Sequence, residues 1–150
     1  MNKENIEKFD SQKMLEEYDK WPEMAEEAYS SFSENIKFKK INHIVFAGMG
    51  GSGAIGDVFS AILSKTNIHI SVVKGYVLPN TVNSETLVIT TSVSGNTLET
   101  ISVLKKAHER NCNLIVFSSG GIMEKICDEK NITHFNVKMS HSPRTSFVIY

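Results

Sequence analysis

Three hydroxyls fall within six residues at Ser92, Ser94 and Thr97, interleaved with Val93, Gly95 and Asn96. Just upstream, Leu87, Val88 and Ile89 among Thr86, Thr90 and Thr91 have the β-branched density of a buried strand; downstream, Leu98, Ile101 and Leu104 recur at helical spacing. A helix starting near Asn96 aims free backbone N–H groups and the positive end of its dipole into such a turn, where an anion can be held. No Lys or Arg lies between Ser92 and Leu104, so hydroxyls and amides would do the gripping, which suits a small phosphate monoester better than a polyphosphate with its metal. The competing reading of the same residues is purely local. Asn96 caps its own helix, Glu99 three residues on closes a capping box, and the serines satisfy turn backbone.

A second turn offers chemistry of another kind. Gly48, Met49, Gly50, Gly51, Ser52 and Gly53 fit G-x-G-x-x-G between a strand pattern and a helix pattern, so a dinucleotide site comes into view. The acidic residue that ribose hydroxyls require at the end of the next strand is missing, because that region reads Val72, Val73, Lys74, Gly75. Lys74 could face a 2′-phosphate, which keeps an NADP-binding domain open. The glycines can equally be a tight strand-to-helix packing turn. Adjacent Gly50 and Gly51 followed by Ser52 are better explained by backbone that must approach a small ligand.

The elements that must position these turns follow from the pattern. Strands are expected over 41–47, 69–74, 87–91, 113–118 and 135–137, with helical patterns between most of them and loop from Gly75 to Glu85. Ala54, Ile55, Val58, Phe59, Ile62 and Leu63 mark one face of the helix after the glycine turn. Short strands poor in polar residues that alternate with helices imply an α/β fold, a doubly wound parallel sheet covered on both faces. Ligands in such sheets bind at the carboxyl ends of the strands, and both turns fall there. From Ile6 to about Phe38 the apolar residues step by three or four, which predicts an amphipathic helix interrupted near Pro22 that covers the sheet or an oligomer contact.

A length of 150 residues with 41% hydrophobic and 22% charged content fits one globular domain. Sixteen basic against seventeen acidic residues give a net charge of −1, which leaves no footprint for nucleic acid or a membrane surface. Five scattered histidines and the isolated Cys112 and Cys127 suggest neither a metal site nor a disulfide framework. The polar N-terminus and the lack of a membrane-length apolar run make a cytoplasmic protein the expectation.

The two turns in register resemble the sugar isomerase (SIS) domain, a phosphosugar-binding α/β fold. The strings from Gly48 to Asp57 and from Ser142 to Ser146 (Ser-Pro-Arg-Thr-Ser) narrow the resemblance to bifunctional phosphoglucose/phosphomannose isomerases. It implies a five-stranded, flavodoxin-like three-layer sandwich over 41–150 behind a helical extension over 1–40. It implies Ser92, Ser94 and Thr97, joined by Ser52, on the sugar phosphate, Gly50 and Gly51 near C1 and C2, and Arg144 stabilising the enediolate. It also implies no metal or organic cofactor and a homodimer as the assembly. Glu99 is assigned capping or support, since a carboxylate would repel the phosphate. The family carries two such domains and places its base, a glutamate, in the second. Here Glu85, Asp57 and His141 are the only guesses, and the expectation is an N-terminal domain or truncated gene product that binds glucose, mannose or fructose 6-phosphate without turnover. A stand-alone sugar-phosphate sensing module is the alternative.

Overall fold

The computed structural model describes residues 6, 8–31, 36–38 and 40–149. Five strands, β1 (His43–Gly48), β2 (His69–Val73), β3 (Thr86–Thr91), β4 (Asn113–Ser118) and β5 (Thr133–Asn136), form one sheet in the order β2-β1-β3-β4-β5, and every pairing is parallel. Val45, Val88 and Val116 on the three central strands are wholly buried. Each contributes about 1.5–3 kcal/mol on leaving water, which offsets the backbone ordering that long crossovers demand.

Side-chain alternation sorts the helices into layers. On one face α4 (Leu98–Glu109) and α5 (Gly121–Lys130) pack through Val103, Ala107, Ile101 and Leu104, with Met123 and Cys127, against Val45, Val88 and Val116. The opposite face carries α3 (Gly50–Leu63), where Gly56 sits directly on Phe46 and Val72. The result is the expected doubly wound three-layer arrangement.

The apolar residues of α3 do not all turn inward as their spacing predicts. Gly53 and Gly56 are the residues pressed on the sheet, so Val58, Phe59 and Ile62 rotate outward and are exposed, Phe59 still stacking on Phe46.

The N-terminal segment contains the helices α1 (Met14–Asp19) and α2 (Trp21–Ser31), which are separated at Lys20. The break falls just ahead of Pro22, which occupies the first turn of α2, where its missing N–H costs no hydrogen bond. Residues 32–35 and the first five residues, part of the predicted helix and polar terminus, lie outside the described residues. A short 3-10 helix (Thr145–Ile149) packs against α2. Among the described residues no helix is long and apolar enough to cross a membrane.

Candidate functional site

Neighbouring strands β1 and β3 end together: Gly48 and Thr91, the last residue of each, are register partners. From there the chain leaves β1 for α3 on one face and β3 for α4 on the other, which makes this rim the switch point of the sheet. Glycine at 48 is required by crowding, since a Cβ there would lie 2.9 Å from the Thr91 carbonyl oxygen and 2.9 Å from the Ser52 carbonyl carbon. A Cβ on Gly53 would come within 2.6 Å of the Gly48 oxygen, so these two glycines let helix and strand close up. The middle pair differs. Gly50 has φ +56° and neither Gly50 nor Gly51 has any atom within 4 Å of where a Cβ would stand, so both face open space.

The predicted glycine turn is mostly helix. Met49 is the N-cap and α3 begins at Gly50, so Gly51 and the half-buried Ser52 belong to its first turn. Helix α4 starts at Leu98 with Thr97 as N-cap. Neither N-cap side chain bonds its own helix, so both first turns present N–H groups without a side-chain cap at the same rim.

In the hydroxyl turn, buried Ser92 and half-buried Thr97 share a hydrogen bond of 2.8 Å between Oγ and Oγ1, and the Ser94 hydroxyl accepts the Asn96 N–H at 3.3 Å. The capping box does not form. Asn96 Oδ1 instead accepts the Ile122 N–H of α5 at 3.1 Å, while Asn96 Nδ2 donates to the Ser94 carbonyl at 3.0 Å. The β3–α4 turn is thereby fastened to the β4–α5 turn, reinforced by the Ser119 hydroxyl on the Val93 carbonyl at 2.6 Å and the Met123 N–H on the Gly95 carbonyl at 3.0 Å. Glu99 lies in the first turn of α4 without closing that box.

Arg144 lines a hollow of about 720 Å³ with Gly50, Gly51, Ser52 and His141, and Gln12 and Met14 also line it. Ser92, Ser94 and Thr97 do not line that hollow; their turn follows β3, the strand paired with the β1 that leads into the glycine segment. Of the three guesses at a base, only His141 reaches this cavity. Glu85 precedes β3 at the opposite rim, where it accepts from Asn42 Nδ2 at 2.6 Å, and Asp57 is paired with Lys74, the residue weighed for a 2′-phosphate. Among the described residues there is no group of three or more His, Cys, Asp or Glu able to hold a metal ion.

Two contributors escaped sequence reasoning. Trp21 donates its indole N–H to the Thr145 carbonyl at 3.0 Å, next to Arg144 and 124 residues away in sequence, and stacks on Phe147. Gln12, two residues ahead of α1, lines the same hollow as the glycine segment. The available signal was that Trp21 is the sole tryptophan, since so large a side chain is rarely left without a packing partner.

Residues 37–141 match the family described as SIS domain. The chain is 32% identical over 137 residues to the bifunctional phosphoglucose/phosphomannose isomerase of Caldicellulosiruptor bescii, covering 89% of this chain and 40% of that one. It is 39% identical over 95 residues to the enzyme of the same name from Thermoplasma volcanium, covering 63% and 31%. The chain thus spans less than half the length of these relatives. In fold it is similar to the C-terminal domain of glucosamine-fructose-6-phosphate aminotransferase from Francisella tularensis, with a TM-score of 0.64 at 21% identity over 91% of this chain and 45% of that one.

Proposed function

The chain belongs to the SIS domain family, and on that footing we propose that it is the sugar-phosphate-binding N-terminal half of a phosphoglucose/phosphomannose isomerase. The observation that carries this reading is the pairing of Gly48 with Thr91, which starts an open glycine segment and a hydroxyl turn from adjacent strand ends. Ser92, Ser94 and Thr97, with the first N–H groups of α4, take the phosphate, and Ser52 adds a further hydroxyl. Gly50 and Gly51 admit the sugar at C1 and C2, because nothing occupies the space beyond their α-carbons.

The reaction class is aldose–ketose isomerisation of glucose or mannose 6-phosphate with fructose 6-phosphate. A proton moves from C2 of the aldose to C1 through an enediolate while the O2 hydroxyl proton passes to O1, so the atoms balance without an external oxidant, and the reading calls on neither metal nor organic cofactor. Arg144 supplies positive charge where the enediolate oxygen becomes negative. The base must stand within hydrogen-bond reach of C1 and C2. In this reading it comes from the other half of the enzyme, so the 150-residue chain binds without turning over. Domain limits of 1–40 and 41–150, a homodimer and a cytoplasmic location belong to the same reading.

Calorimetric titration with fructose 6-phosphate tests it. Saturable binding that is lost in Ser94→Ala supports the assignment; NADPH binding without sugar-phosphate binding replaces it with the nucleotide reading. An isomerase assay on the chain then separates a half-site from a complete enzyme, and measurable turnover overturns the placement of the base.

A further inference from the structure

An arginine that meets developing charge is useful only if its backbone is fixed to within a fraction of an ångström. The segment that carries Arg144 is braced from within by Ser142 N–H on Thr145 Oγ1 and Ser140 N–H on Ser146 Oγ, each at 3.0 Å. Those bonds shape the loop without fixing where it stands. It also packs on α3, and its hydrogen bonds from outside come from α1 and α2. The Trp21 indole N–H holds the Thr145 carbonyl at 3.0 Å, and its ring stacks on Phe147 with centroids 6.1 Å apart and planes 23° from parallel. The Ser140 hydroxyl donates to Glu17 Oε2 at 3.3 Å.

Trp21 is itself held. Tyr18 meets it edge-on at 4.9 Å, and the Asp10 carboxylate accepts the Met14 and Leu15 N–H groups at 2.8 Å, which fixes the start of α1. Tyr18, Trp21 and Phe147 surround a hollow of about 430 Å³ together with Gly51, Ala54 and Arg144. One residue therefore touches the Arg144 loop on one side and shares a space with the glycine segment on the other. Thr145 is fully buried, so water has no ready access to take over from the indole at its carbonyl.

We propose that Trp21 is a positioning residue for Arg144, and that α1 and α2 form a wall of the sugar-phosphate site. The inference rests on Arg144 serving that ligand. Trp21→Phe is the discriminating variant, because it keeps an aromatic ring against Phe147 and Tyr18 and deletes only the donor and part of the area.

Two measurements on the full chain test it. Hydrogen exchange of the amides from 142 to 147 should rise several-fold in Trp21→Phe, with β1 and β3 unchanged; unchanged exchange in the loop overturns the proposal. Fructose 6-phosphate affinity should fall about three- to tenfold, the size of one hydrogen bond. That loss should vanish when Trp21→Phe is placed in an Arg144→Ala background. An equal loss with and without Arg144, or no loss at all, overturns the coupling. Absence of saturable binding in the unaltered chain sinks the sugar-phosphate reading itself, and the exchange data then decide alone whether Trp21 sets the loop.

Discussion

Gly48 and Thr91 face each other as the final register pair of β1 and β3, and the Thr91 carbonyl oxygen lies 2.9 Å from the place a Cβ would take on Gly48. There is therefore no room for a side chain at position 48 between β3 and the start of α3. The neighbouring atoms are main chain on both sides, so no side-chain rotation can relieve an intruding methyl. Gly48→Ala should destabilise the protein by about 1–3 kcal/mol, the range of overpacking in a tight interior. Urea unfolding monitored by circular dichroism checks this; an unchanged midpoint contradicts it.

Gly51 sits on the same rim with the opposite expectation. An added Cβ meets nothing within 4 Å, and Gly51 lies in the first turn of α3 without a positive φ. Gly51→Ala should leave stability unchanged or raise it by about 0.4–1 kcal/mol through a less flexible unfolded chain. If the sugar occupies that space, affinity for fructose 6-phosphate falls in the same variant. A thermal melt and a titration on one sample separate the two effects, and undiminished binding removes Gly51 from the site.

Asn96 closes a helix other than its own. Asn96→Ala should cost about 0.5–2 kcal/mol, as loss of an N-cap does, and the Ile122 amide should exchange faster. Glu99→Gln should change stability far less, because Glu99 closes no capping box. Equal losses in the two variants argue for the local capping arrangement instead.

His43 is buried beside His69, with ring centroids 4.5 Å apart, and its Nε2 shares a 2.9 Å hydrogen bond with the Ser71 hydroxyl. Burial first, and then the neighbouring histidine, hold its pKa below the ordinary 6.5. The sign follows from linkage: the unfolded chain takes up the proton first, so this contribution to stability is complete above pH 6.5 and is lost as pH falls through the lower folded value. Urea midpoints of the parent and His43→Gln from pH 8 to pH 5 should diverge at the high end and converge at the low end. Parallel profiles refute this.

Cys112 and Cys127 are both buried, and burial, followed by the carboxylates of Asp128 and Glu124, pushes the Cys127 thiol up to about 11. The thiolate is the reactive species. Iodoacetamide at pH 8 should therefore label Cys127 slowly in the native protein and promptly in urea, read by mass spectrometry. Rapid native labelling would show that the α5 core opens.

What the residues announced was whatever depends on local periodicity. The strands at β3 and β4 match their predicted ranges to within a residue, since unbroken apolar runs between polar punctuation have few other uses. Asn96 was misread because a cap's spacing names a helix end without saying which one; only the apposition of two turns shows that Ile122 is its partner. The outer face of α3 was misread because apolar periodicity outweighs glycine on paper, whereas Gly53 and Gly56 are what the crowded sheet admits. The strings around Gly50 and Arg144 were legible as family signatures. Their shared hollow with Gln12 was not, because it depends on where the segment that carries α1 and α2 lies against the rest.

The bond from Trp21 to Thr145 joins two segments that flank the span from His43 to Asn136, which supplies every strand among the described residues. During synthesis the sheet can be complete while this clasp is still unmade, so Arg144 is set in place only after the sheet. A chain ended shortly after Asn136 would keep its layered framework and lose the fastening that orders the cation.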